Sequence, residues 1–109
     1  MTWKTLIYPL FLGVLFLLLL AVTVPQQANA GDPSGSEIFA SYCIFCHRHG
    51  GNTIDPNLPL EGAPQLGSYY SFRSLVRQGR GKMPAFSSSQ ISDSQMRKLY
   101  RYVSSAYGE

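Results

Sequence analysis

The sequence predicts an all-α domain in which three helices are joined by long irregular connections. Three observations carry that expectation. Apolar residues recur at helical spacing in three separate segments, two of those segments open with a capping box, and nowhere does an alternating apolar pattern support a strand.

The chain opens with a different kind of segment. Met1-Thr2-Trp3-Lys4 carries one positive charge, Leu6 to Val24 carries none, Pro25-Gln26-Gln27 breaks the run, and Ala28-Asn29-Ala30 follows. Charge, apolar run, polar break and small-x-small is the order of a secretory signal. As a helix the apolar run would also reach about 28 Å, close to the hydrocarbon thickness of a bilayer. Residues 1–30 are therefore read either as a signal peptide cleaved after Ala30 or as an uncleaved membrane anchor. Both readings export the remainder, residues 31–109. A domain that small struggles to bury enough apolar surface alone. With two cysteines it has at most one disulfide, so a large apolar cofactor inside the fold is the simpler remedy.

Ser34 starts the first helix, with Glu37 completing a capping box, and Ile38, Phe39, Tyr42 and Phe45 form its apolar stripe. The helix should run to about His47 and end at Gly50-Gly51. Residues 48 to about 66 read as loop, because Pro56, Pro59 and Pro64 prevent a long helix and Asn52, Asp55 and Asn57 favour turns. A second helix is predicted over Ser68 to Gln78, with Tyr69, Phe72, Leu75 and Val76 on its apolar face and Gly79 at its C-terminal cap. Gly79 to Pro84 should then be an exposed, non-helical loop. Ser92 with Gln95 forms the second capping box. The last helix follows to about Tyr107, with Met96, Leu99, Tyr100 and Val103 at helical spacing.

Cys43-Ile44-Phe45-Cys46-His47 fits the signature for covalent attachment of a c-type haem. Positions i, i+3 and i+4 share one helix face. Two thiols there can add to the two vinyl groups of one haem edge, and the adjacent imidazole reaches the iron with Nε2. The other ring nitrogen, Nδ1, then needs an acceptor that fixes tautomer and ring plane. A thioredoxin-like redox pair would need a βαβ pattern, which is absent. A zinc site would need one more ligand, and His49, the only other histidine, lies too close in sequence to complete it comfortably. His49 is read as a surface residue.

Three side chains could provide the sixth iron ligand. His49 cannot reach the face opposite His47, and Met96 lies on the apolar stripe of the last helix, where a core role is expected. Met83 sits in a Gly-flanked loop between Lys82 and Pro84, and such a loop can be laid across the far haem face, with Pro84 stiffening it. His47 and Met83 together would raise the potential relative to two histidines and fill both axial positions. The product is an electron carrier, not a catalyst.

The formal charge is +3. Arg73, Arg77, Arg80, Lys82, Arg97, Lys98 and Arg101 lie in the second half of the domain, while Asp32, Glu37, Asp55 and Glu61 lie in the first. This is either a solvated surface or a basic docking face for an acidic partner. A nucleic-acid partner is not indicated, since no aromatic-interleaved basic motif is present and the net charge is modest.

Over nearly all of residues 34–107 the chain resembles the class I cytochromes c. Gly35-x-x-x-Phe39-x-x-x-Cys43 is similar to the first helix of that family. Met83-Pro84-Ala85-Phe86, Ile91-Ser92-Asp93 and the terminal Tyr102-Val103 resemble the small photosynthetic cytochromes of cyanobacteria and algal plastids. The resemblance implies a class I cytochrome c fold: three main helices with long loops around one covalent haem c, one haem edge exposed. It implies that Gly35 allows a close crossing with the last helix at Leu99 and Tyr102. A proline carbonyl should accept from the ligand histidine, and Pro64 in Ala63-Pro64-Gln65-Leu66-Gly67 is the candidate. Ile38, Phe39, Tyr69, Phe72, Leu75, Leu99 and Tyr102 should line the pocket. Arg80 and Lys82 would flank the exposed edge and, with Arg77, dock a redox partner: photosystem I, a terminal oxidase or a bc-type complex. The location implied is the thylakoid lumen or periplasm. Two alternatives stand beside a carrier in a photosynthetic or respiratory chain. One is a membrane-anchored haem subunit of an oxidase complex. The other, if Met83 is not a ligand, is a peroxidase-like haem enzyme.

Overall fold

The structure is a computed structural model and describes residues 4–21 and 31–109. Helix α1, Lys4–Ala21, is 18 residues long and uncharged beyond its first residue. Its large apolar side chains from Ile7 to Leu17 are exposed. Among the described residues no helix is long and apolar enough to cross a membrane. The expected break at Pro25 and the small-residue site at Ala28 to Ala30 lie outside the described residues.

The domain contains α2 (Gly35–Tyr42), α3 (Ile44–His47), a 3₁₀ turn at Arg48–Gly50, a second at Pro64–Gly67, α4 (Tyr69–Gln78) and α5 (Asp93–Tyr107). Among the described residues the only extended pairing is an isolated bridge between Arg80 and Met83. Both capping boxes form. Glu37 N donates to Ser34 Oγ at 3.3 Å while Ser34 N donates to Glu37 Oε2 at 2.7 Å. The Ser92 and Gln95 pair repeats this at 3.2 and 2.9 Å. Each cap satisfies orphan backbone donors, worth about 1 kcal/mol.

The first predicted helix does not run unbroken to His47. Cys43, at φ −113° and ψ −33°, stays in the right-handed region but caps α2 and precedes α3. Its N–H still donates to Phe39 O at 2.9 Å, and its carbonyl accepts from His47 N at 2.9 Å. The helix is therefore interrupted at the first cysteine, yet one turn from Cys43 to His47 survives.

Helices α2 and α5 cross at Gly35. A Cβ there would collide with the Lys98 carbonyl oxygen and lie 2.8 Å from Tyr102 Cβ. The close crossing is as expected, with Tyr102 at it and the Lys98 carbonyl as the nearest group; Leu99 is fully buried in the core. That core comprises Ile38, Phe39, Leu66, Phe72, Val76, Ile91, Met96, Leu99 and Val103, each contributing about 1.5–3 kcal/mol on burial. Of the expected pocket residues, Ile38, Phe39, Phe72 and Leu99 are buried, whereas Tyr69, Leu75 and Tyr102 are only half-buried. Ile91, which belongs to no helix, is wholly buried.

Candidate functional site

Cys43, Cys46 and His47 share the turn that ends in α3. Both thiols are free and half-buried. Burial pushes the Cys43 thiol up to about 11, which favours its neutral thiol form. The His47 ring is also half-buried, with Nδ1 2.9 Å from Gly51 O. A carbonyl only accepts, so Nδ1–H donates and Nε2 is left bare, the nitrogen a metal can take.

The acceptor is therefore Gly51, and the expected role of Pro64 is overturned. The chain doubles back directly after His47: Gly51 N donates to Arg48 O at 3.1 Å and Thr53 N to Cys46 O at 2.9 Å. This brings the Gly51 carbonyl under the ring, while Pro64 opens the second 3₁₀ turn. The reversal needs two left-handed residues, His49 at φ 56° and Gly50 at φ 75°. His49 is exposed, as expected. Gly50 is buried, and a Cβ on it would lie 2.7 Å from Tyr107 Cδ1. Glu61 N donates to Gly50 O and Gly62 N to Tyr107 O, both at 2.8 Å, so the end of α5 braces the turn that supplies the acceptor to His47.

Met83 lies on the connection between α4 and α5, half-buried and packed against the core cluster. Its N–H donates to Arg80 O at 2.9 Å, and its carbonyl accepts from Arg80 N at 3.1 Å. Gly79 does more than cap α4. It adopts φ 72° and ψ 174°, a region essentially restricted to glycine, and a Cβ there would lie 2.6 Å from Met83 O and 2.9 Å from Ala85 N. The Met83 turn is thus folded directly onto the end of α4. Beyond it, Phe86 N donates to Val76 O at 2.9 Å. The Phe86 ring meets Tyr42 edge-on at 5.7 Å, and Tyr42 donates its hydroxyl to Gln90 O at 3.2 Å. Tyr42 immediately precedes Cys43, so the two halves of the candidate site are tied together. Met96 is fully buried in the core, as expected. An open, mostly polar cleft beside α4 is lined by Gln65, Ser71, Leu75 and Gly79 among others and by none of Cys43, Cys46, His47 or Met83.

The basic surface is smaller than the sequence suggested. Arg77 does not face a partner: its side chain is 14% exposed and is bound to Phe86 O, Ile91 O and Asp93. Arg73 pairs with Asp93 at 3.4 Å and Lys98 with Asp32 at 2.7 Å, while Arg97 stacks over Tyr69 at 4.5 Å. The hydrogen bond from Arg77 holds the Asp93 carboxyl below the ordinary range, and that from Lys98 does the same for Asp32. Arg80 and Lys82 are exposed on either side of Gly81 and remain the candidates for docking beside Met83.

The donor set suits a covalently attached porphyrin: two unpaired thiols on one turn and an imidazole with its outer nitrogen already satisfied. Among the described residues no cluster of three His, Cys, Asp or Glu side chains is arranged to hold a metal ion on its own. A helical domain folded onto itself beside a Cys-x-x-Cys-His turn defines a c-type cytochrome. The chain belongs to the cytochrome c family as a class I monohaem cytochrome close to cytochrome c6. Residues 30–103 match the family described as cytochrome C oxidase, cbb3-type, subunit III. Cytochrome c6 of Cyanidioschyzon merolae is 33% identical over 96 residues, covering 84% of this chain and 90% of that protein. Cytochrome c6 of Synechocystis sp. is 35% identical over 99 residues, covering 86% and 77%. Among solved structures, the outer membrane cytochrome OmcF from Geobacter sulfurreducens matches with a TM-score of 0.62 at 29% identity, covering 68% of this chain and 99% of that one. The chain binds one covalent c-type haem and is an electron carrier, not an enzyme.

Proposed function

We propose that the chain is an exported single-electron carrier of photosynthetic electron transport, its haem bound by thioethers to Cys43 and Cys46 and by axial bonds from His47 and Met83. The observation that carries the reading is the 2.9 Å contact from His47 Nδ1 to Gly51 O, which fixes the tautomer that offers Nε2. When bound, the haem supplies a reversible one-electron change at iron. His47, anchored by Gly51, is held in one ring plane. Met83 offers a neutral, soft sulfur, which favours the reduced state relative to a second imidazole. With His47 and Met83 both holding the iron, no position would be left there for a substrate. Arg80 and Lys82 steer an acidic redox partner to the site; photosystem I, a terminal oxidase and a bc-type complex all meet that description.

The c6 relatives support a thylakoid lumen or periplasmic setting. Size, basic character and the long N-terminal apolar segment also resemble cytochrome cM of cyanobacteria. Residues 1–30 act as a cleaved leader or a retained anchor. The match to a cbb3-type oxidase subunit family favours a second reading, a haem subunit fixed to an oxidase complex, which requires Leu6 to Val24 to persist. Mass spectrometry of the mature protein separates the two and reads the added haem mass as well.

The axial pair is tested by the far-red absorption band of a ferric iron–methionine bond. Wild-type protein is expected to show it, and Met83→Ala to lose it while keeping the covalent haem. A wild-type protein without the band removes Met83 from the ligand set.

A further inference from the structure

The connection from Gly79 to Ser92 carries Met83 yet contains no helix. A thioether is a weak, neutral ligand, and a ligand on a mobile loop is readily displaced. Something must hold this segment, and its own short-range bonds, the Arg80–Met83 pair and the Ser87–Gln90 turn, do not attach it to the rest of the domain. Beside the Phe86 N–H on Val76 O, the Tyr42 hydroxyl on Gln90 O and the burial of Ile91, one side chain makes several of these attachments at once.

Arg77 lies in the last turn of α4. Its Nη1 donates to Ile91 O at 2.7 Å and to Phe86 O at 3.2 Å, and its Nη2 donates to Asp93 Oδ1 at 3.0 Å. One planar guanidinium thus joins α4, the far half of the connection and the first residue of α5. Two of its three acceptors are loop carbonyls that no helix satisfies. Asp93 supplies the counter-charge and is itself favoured at a helix N-terminus. Phe86 is gripped from both sides, since its N–H donates to Val76 O at 2.9 Å and its carbonyl accepts from Arg77. Three residues before it stands Met83, whose carbonyl is seated against Gly79. The Met83 turn is therefore fixed at both ends to the last turn of α4.

We propose that Arg77 is the positioning residue for Met83: a latch that keeps the methionine turn closed and so controls how readily an outside ligand displaces the sulfur. The claim rests on the Met83 reading above. The fork geometry matters, because lysine keeps the charge toward Asp93 but cannot reach three acceptors in one plane. Arg73 pairs with the same carboxylate without touching the connection, which makes it the natural control.

The test uses the full-length haem protein and two readouts at fixed pH. Hydrogen exchange at the Met83 and Phe86 amides reports the segment itself; displacement of the far-red band by added imidazole reports the ligand. Arg77→Gln, which takes the guanidinium away from all three acceptors, is expected to speed both by at least about tenfold. Arg77→Lys should recover part of the difference, and Arg73→Gln should match wild type. Exchange in Arg77→Gln equal to that in Arg73→Gln overturns the latch, whatever the band does. A wild-type protein lacking the band overturns Met83 ligation and with it the positioning role, even where exchange accelerates. Should Arg77→Gln not fold, Asp93→Asn frees the guanidinium on one side; about threefold faster exchange is then expected, and an unchanged rate overturns the proposal.

Discussion

The two halves of the site are built by opposite means. From Cys43 to Gly51, thiols, imidazole and the acceptor for Nδ1 fall within a few residues of one another, and the bonds that set them are local. From Gly79 to Ser92, Met83 is positioned by partners on other elements: Val76, Arg77, Tyr42 and the core. A motif can specify the first half, whereas only a completed fold can specify the second. The covalent half should therefore survive damage that opens the methionine half, and each prediction below probes that asymmetry.

The largest effect belongs to the local half. Replacing Cys43 and Cys46 together by serine is expected to abolish covalent attachment, so that acid acetone extracts all the pigment. Retained pigment would mean that attachment does not run through this turn.

Next comes a matched pair of glycines, one in each half. Both have φ above 70°, Gly50 at 75° and Gly79 at 72°. A Cβ on Gly50 would press on the Tyr107 ring, which can move, whereas one on Gly79 would press on the backbone of Met83 and Ala85, which cannot. Gly79→Ala is expected to cost about 3 kcal/mol and weaken the far-red band. Gly50→Ala should cost about 1–2 kcal/mol and leave the band in place. Denaturant unfolding together with the absorption spectrum checks both, and equal costs would erase the distinction.

Acid should act on the long-range pairs of Asp93 and Asp32 and on the local cap at Glu37. Asp93, Asp32 and Glu37 are held below their ordinary values of 3.8, 3.8 and 4.5, chiefly by hydrogen bonds from Arg77, Lys98 and Ser34. A depressed folded-state pKa stabilises above the unfolded value and is lost as pH falls through the folded one. The thermal midpoint is expected to be flat from pH 7 to about 5 and to decline below about 4. A midpoint that holds down to pH 2 would show that these pairs do not support the fold.

The smallest effect is at the surface. Arg80→Gln with Lys82→Gln should slow association with an acidic redox partner severalfold at low salt and hardly at all at high salt. Stopped-flow rates that do not change at low salt would remove this face from docking.

Much of the fold was legible because its signals are local. Ser34 with Glu37 and Ser92 with Gln95 marked two helix starts, Gly35 marked the crossing, and Met96 was separable from Met83 by its helical spacing. What escaped depended on contacts between distant residues. Cys43 carries helix-compatible neighbours, so the interruption there had no local sign. Pro64 resembled an acceptor segment, but Gly51 stands nearer in the folded turn; the Gly-Gly pair after the motif was the available hint of a reversal. Arg77 looked like any surface cation in a basic stretch, and nothing local distinguishes a guanidinium that turns inward to loop carbonyls. Tyr107 at the end of α5 could not be matched to Gly50 from spacing alone.

The contact of Gly35 with Lys98 has a consequence for the order of events when the protein is made. Because the earliest helix of the domain finds its partner near the end of the chain, a growing polypeptide has nothing to close against until that late stretch emerges, and closing so wide a loop carries an entropic penalty. Through that interval the two sulfurs stay on an open strand of peptide, accessible to whatever installs the pigment.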